Sequence, residues 1–336
     1  MSRYPGGLIR KTPVTPAGPF QNGAAPGVWT LAEAAFWTKQ GLWPTAGNVP
    51  PETFAIFALG CAVGLVTTRN KYTYSGDVVS AGGAATAASR YGSAAGNSTV
   101  GIFALGCAPG RVTTRDKYTY SGDVVGAGGA ATVASRYGSA AGNSTVGIFA
   151  LGCAGGVCVT TRNKYTYSGC VVSAGGAATA ASAFGSAAGN STVGIFALGC
   201  AGVRVTTRNK YTYSGDVVSA GGAATTASLN GSATGNSTVG IFALGCAGGV
   251  STTRNKYTYS GDVVSAGGAA TAASAFGSAA GNSTVGIFAL GLVSCSVSIT
   301  RNKYTYSGCV VSAGAAATAA SASGSAASNG TTGVNM

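Results

Sequence analysis

A single unit of about 46 residues is written six times between Thr53 and the end of this 336-residue chain. The block Ile-Phe-Ala-Leu-Gly starts at Ile56, Ile102, Ile148, Ile195, Ile241 and Ile287, so successive starts differ by 46, 46, 47, 46 and 46. A second block, Lys-Tyr-Thr-Tyr-Ser-Gly, keeps step at Lys71, Lys117, Lys164, Lys210, Lys256 and Lys303. Self-similarity at a fixed period of this size predicts a repeat architecture, in which each copy buries its apolar surface against the next.

The unit over residues 86–132 reads as short strands. Ser98–Gly106 is an apolar run in which Val100, Ile102 and Ala104 share one face and Phe103 and Leu105 the other. Both faces are apolar, so this strand is expected between two layers rather than against water. Thr113–Tyr120 is rich in Thr and Tyr and predicts a second strand. Ser121-Gly122 marks a turn, and Asp123-Val124-Val125 opens a third strand. Small residues then run through Ala130–Arg136 and Tyr137–Gly142; a helix could be read into the alanines, but Gly and Ser interrupt it and favour extended chain.

Four short strands in such a period match a β-propeller blade, with a β-solenoid as the rival. The residue sizes favour the propeller. Blades converge at the axis, where only Gly, Ala and Ser fit, and diverge outward, where Phe, Leu and Tyr fill the gap. The array opens near Thr53 with the second strand of a blade and finishes near Thr318–Ser328 with an innermost one. Six complete sets therefore require the C-terminal strand to complete the first blade, which also removes open sheet edges. The expected fold is all-β: a six-bladed propeller of four-stranded blades over residues 51–336, preceded by an N-terminal arm over residues 1–50.

The unit resembles the Kelch family. Ser89-Arg90-Tyr91, then Gly101-Ile-Phe-Ala-Leu-Gly106, then Lys117-Tyr118 occupy the places of the family's Arg-containing innermost strand, its Gly-Gly strand and its Tyr-bearing strand. The likeness covers about 280 residues. It departs from the family where Leu-Gly-Cys replaces the double glycine and where no repeat carries the outer-strand Trp. The resemblance implies Kelch-like blades. Copper oxidases of Kelch type need histidine ligands, and this chain contains no histidine.

That absence also removes the commonest general base and metal ligand. Of only seven carboxylates, Asp77, Asp123, Asp216 and Asp262 occupy one repeat position and are expected too far apart to act as an acid/base pair. No enzymatic activity, cofactor or metal is expected. Five of nine cysteines recur after Leu-Gly (Cys61, Cys107, Cys153, Cys200, Cys246) and read as small apolar residues. Cys170 and Cys309 replace the repeat aspartate, and their repeats add Cys158 and Cys295, so local pairs Cys158/Cys170 and Cys295/Cys309 are conceivable. No stretch is long and apolar enough to span a membrane or serve as a Sec leader, which predicts a soluble protein without one.

The net charge is +13, and twelve of the twenty basic residues are periodic: Arg69 and Lys71, Arg115 and Lys117, Arg162 and Lys164, Arg208 and Lys210, Arg254 and Lys256, Arg301 and Lys303. They read either as a solvated outer strand or as a ring of ligand-facing cations suited to acidic glycan. Even spacing, rather than one basic face, argues against nucleic acid. Four further arginines, Arg90, Arg111, Arg136 and Arg204, are not periodic and could mark one side of the ring. Asn97, Asn143, Asn190, Asn236 and Asn282 begin Asn-Ser-Thr and are expected to form the turn between inner strands through positive φ.

The arm is different in grammar. Five prolines lie among its first 26 residues, and Thr30-Leu-Ala-Glu33 is a capping box that predicts a helix over about 31–40. Trp29, Trp37 and Trp43, the only tryptophans, cluster here as candidate assembly contacts. Residues 6–13, Gly27-Val-Trp-Thr-Leu31 and Gly41-Leu-Trp-Pro44 resemble the start of many structural proteins of tailed bacteriophages. The resemblance implies a virion location, with a cytoplasmic location as the alternative if the chain is not phage-encoded. The functional expectation is a non-enzymatic, tail-associated binding platform for host-surface polysaccharide, with no membrane span and a homo-oligomer allowed. The alternatives are a cap or decoration protein that binds other virion proteins through the arm, and, ranked lower, a bacterial Kelch-like adaptor.

Overall fold

The structure is a computed structural model and describes residues 30–40 and 52–330. The chain divides into two units, Met1–Glu52 and Thr53–Met336. In the first, Leu31–Lys39 is an α-helix whose N-cap, Thr30, accepts from the Glu33 N–H while Glu33 reaches back to the Thr30 N–H at 2.8 Å. This capping box satisfies two of the donors that a helix start leaves open. The helix buries none of its residues, and Leu31 and Phe36 are exposed.

The second unit is all-β and propeller-like, with six four-stranded antiparallel sheets among its described residues. In one of them the order from inside to outside is Ser93–Gly96, Val100–Ala104, Arg115–Thr119 and Val124–Ala127. The sheets stand face to face. Phe103 packs with Phe54, Ile56 and Ala327 of the sheet before, whereas Val100 and Ile102 pack with Ala140 and Phe149 of the sheet after. The two-sided apolar strand is thus buried on both faces, as its residue pattern predicts.

Residue size follows distance from the centre. The innermost strands are Ser-Ala-Ala-Gly or close variants and adjoin one another around the circle. The outermost strands expose a valine each, from Val78 to Val310. Thr234 interrupts the inner alanines: its hydroxyl meets the Tyr306 hydroxyl at 3.0 Å inside the core. The circle closes through the chain ends, because Ser325–Ser328 pairs antiparallel with Phe54–Ala58. Phe54 N–H also donates to Asn329 Oδ1 at 2.7 Å.

Turn chemistry recurs with the period. Asn97 Oδ1 accepts from the N–H groups of Thr99 and Val100, and Asn97 Nδ2 reaches the Ser144 carbonyl of the next repeat at 3.0 Å. The expected inner turn is present, but Asn97 is not at positive φ. Its side chain, acting as a surrogate backbone acceptor, shapes the loop instead.

Candidate functional site

The periodic arginines are not ligand-facing. Arg69, Arg115, Arg162, Arg208, Arg254 and Arg301 are each 1% exposed and rank among the largest buried side chains of the protein. Each crosses to the following sheet. Arg115 donates to Asn163 Oδ1 at 3.0 Å and lies 4.5 Å over the Phe149 ring. Arg69 meets Asp116 at 2.7 Å instead of an asparagine, forming a buried ion pair. Burial pushes the Arg115 guanidinium down to about 10, still well above neutrality, so the cation persists. Both the solvated-strand and the ligand-ring expectations fail for these residues, because the planar fork stays charged and finds fixed partners only between sheets.

The periodic lysines are also occupied in part. Lys71, Lys164, Lys210 and Lys303 pair with Asp123, Asp216, Asp262 and Asp77 of the following sheet at 2.9–3.0 Å. The same carboxylates accept from tyrosine hydroxyls, as in Tyr118 to Asp123 at 2.6 Å. Lys117 and Lys256 depart from the scheme, since the equivalent residues are Cys170 and Cys309 and no carboxylate pairs with either lysine among the described residues. Trp37 is half-buried and contacts Phe36 edge-on at 5.0 Å. Trp29 and Trp43 lie outside the described residues.

The geometry that distinguishes one face lies at the axis. Six residues just before the inner strands, Tyr91, Tyr137, Phe184, Asn230, Phe276 and Ser323, all have φ between +55° and +63°. Their backbones form a closed hydrogen-bonded cycle. Tyr137 N–H donates to the Tyr91 carbonyl, Phe184 to Tyr137, Asn230 to Phe184, Phe276 to Asn230, Ser323 to Phe276 and Tyr91 to Ser323, at 2.8–3.0 Å. A left-handed backbone at non-glycine residues is held only where surroundings over-determine it. Here the cycle does so, and each following glycine permits close approach: a Cβ on Gly138 would lie 2.2 Å from the Ala150 carbonyl oxygen. Beyond the cycle, the Gly-Ser-Ala starts of all six inner strands line a small axial mouth of about 70 Å³.

The side chains carried by this cycle are unequal. Tyr91 and Tyr137 lie 4.4 Å apart between ring centroids, and Tyr137 and Phe184 4.1 Å, so three aromatics form one continuous arc. Arg90 and Arg136 sit 4.7 Å over Tyr91 and Tyr137, respectively. Burial and Tyr91 push the Tyr137 phenol up, while Arg136 and Arg90 oppose them. Across the axis the cycle carries Asn230, Phe276 and Ser323, and the arginine position is filled by Leu229, Ala275 and Ala322. One side is therefore aromatic and cationic and the other neutral. The non-periodic arginines Arg90 and Arg136 were the sequence signal for this side; Tyr91, Tyr137 and Phe184 share one repeat position before Gly-Ser-Ala, but only the packing of the sheets brings their rings together.

Among the described residues, no group of three or more His, Cys, Asp or Glu could hold a metal, and no helix is long and apolar enough to cross a membrane. No protein-family model matches this chain, and no curated protein is significantly similar to it.

Proposed function

We propose that the circle is a six-bladed, Kelch-like propeller that serves a phage virion as a non-enzymatic binding platform for host-surface glycan. The observation that carries this reading is the arc Tyr91–Tyr137–Phe184 with Arg90 and Arg136 against it, on a rim held by a closed backbone cycle. Aromatic faces cover the apolar faces of sugar rings, and adjacent guanidinium groups pair with carboxylate or phosphate substituents. Rigid aromatics on a fixed frame lose little entropy on binding.

The test is a glycan array of acidic and neutral bacterial surface sugars, probed with the native chain and with Tyr91→Asn/Tyr137→Asn. Asparagine already occupies this backbone conformation at Asn230, so the variant keeps the frame. Binding of acidic glycans that falls about tenfold or more in the variant, about 1.4 kcal/mol, supports the reading. Equal binding by both proteins, or none by either, sinks it.

A cap or decoration role through the N-terminal arm is the second reading. It is favoured by a helix that buries none of its residues while exposing Leu31 and Phe36, since an isolated helix of this length is marginal in water. Loss of virion incorporation on replacing Trp29, Trp37 and Trp43, with glycan binding intact, separates the two.

A further inference from the structure

In every repeat, the residue after Leu-Gly faces a residue four or five positions later across a small hairpin. The opposed pairs are Cys61 and Leu65, Cys107 and Arg111, Cys153 and Cys158, Cys200 and Arg204, Cys246 and Val250, and Leu292 and Val297. Only the third repeat opposes two thiols. It does so because one inserted residue makes a two-residue Gly155-Gly156 turn, with φ of +58° and +104°, closed by Ala154 opposite Val157. Such a turn makes the flanking pair the hydrogen-bonded one and the next pair the non-hydrogen-bonded one, where Cα atoms are closest, about 4.5 Å apart. Cys153 and Cys158 occupy that next pair, and their sulfurs lie 3.3 Å apart. The sixth repeat has the same insertion, but opposes Leu292 to Val297 and leaves Cys295 at the exposed turn. The pairing of Cys158 with Cys170 considered from sequence gives way to this one.

We propose that Cys153 and Cys158 are a redox-active pair that closes to a disulfide by exchange with a small-molecule disulfide. The Cys158 thiolate attacks one sulfur of the oxidant, forming a mixed disulfide and releasing one thiolate. Cys153 then gives up its proton and attacks the Cys158 sulfur, expelling the second thiolate. Two protein thiols are oxidised and one disulfide is reduced to two thiols, which balances the exchange. Burial and the neighbouring Cys158 push the Cys153 thiol up to about 11, against the pull of Arg136 and Arg111, so Cys153 does not open the exchange, and its later attack rests on the 3.3 Å between the two sulfurs. Cys153 also pairs with Arg136 in the adjoining strand, so the bond staples the hairpin that supports the cationic side of the axial rim.

The reduced full-length protein is incubated with oxidised glutathione, quenched by alkylation, and read by intact mass and peptide mapping. The expected product has lost two hydrogen atoms and two alkylation sites, with residues 153 and 158 linked. Cys153→Ser should trap a glutathione adduct on Cys158 at least tenfold above wild type, because the resolving thiol is gone. The proposal is overturned if wild type accumulates as much adduct as this variant. It is equally overturned if residues 153 and 158 both remain alkylated while exposed Cys295 reacts.

Discussion

The Arg301 guanidinium donates to Asn70 Oδ1 at 3.0 Å, joining residues 231 positions apart. It is the same bond that Arg115 makes to Asn163 and that Arg208 makes to Asn255, but here it runs from the last repeat to the first. The repeated arginine is therefore an inter-sheet bolt, and the closing interface is built like the others.

Removing a bolt leaves a buried amide short of a donor and a cavity against Phe57, over whose ring Arg301 lies at 4.7 Å. Arg301→Ala is expected to cost about 3 kcal/mol, read by urea unfolding. Arg115→Ala should cost a similar amount. A loss under 1 kcal/mol, about what a surface contact contributes, would show that the interface does not depend on these bonds.

Ending the chain at Ala317 deletes Ser325–Ser328, which pairs with Phe54–Ala58, and opens a strand edge in the core. Exposed edges promote aggregation. Size-exclusion chromatography should show aggregated or unfolded protein; a monomer with an unchanged Tm contradicts the expectation.

Cys170→Asp restores the carboxylate that Lys117 lacks. Position 170 already has the left-handed backbone of Asp77, Asp123, Asp216 and Asp262. The gain should be about 0.5 kcal/mol, in the range of half-exposed pairs, and should vanish when Lys117 is replaced by Ala. A double-mutant cycle with zero coupling would rule the pairing out.

Acid should loosen the circle through these carboxylates. Burial pushes Asp77 up, but hydrogen bonds from Tyr72 and Lys303 outweigh it and hold the carboxyl below its usual value of 3.8. Asp262 behaves alike with Tyr257 and Lys210. A lowered folded-state pKa means that the unfolded chain takes up protons first, so the contribution is complete above 3.8 and lost as pH falls through the folded value. Tm measured from about pH 5 to about pH 2 should fall less steeply in Asp77→Asn/Asp262→Asn than in wild type. Parallel curves would show that the ion pairs carry no such linkage.

Much of the architecture was legible in the residues. The period marked the units, alternation on Val100–Ala104 marked a strand buried on both faces, and Gly-Ser-Ala segments marked the crowded centre. The arginines were misread for a physical reason: in a strand sequence a charge predicts solvent, and only a neighbouring sheet can supply the asparagine oxygen and phenyl face that make its burial tolerable. Their presence in all six copies, while the aspartate position varied to cysteine, was the available signal.

The sequence by itself determined an all-β repeat and the local turns, because strand alternation, glycine placement and asparagine side-chain bonds act within a few residues of chain. Only the tertiary structure decided which side chains meet across sheets: Tyr91 with Tyr137 and Arg301 with Asn70. Both contacts depend on how one sheet faces the next, whereas the meeting of Cys153 with Cys158 follows from the register that one inserted residue gives a local hairpin. The contacts between sheets are not a property of any single segment.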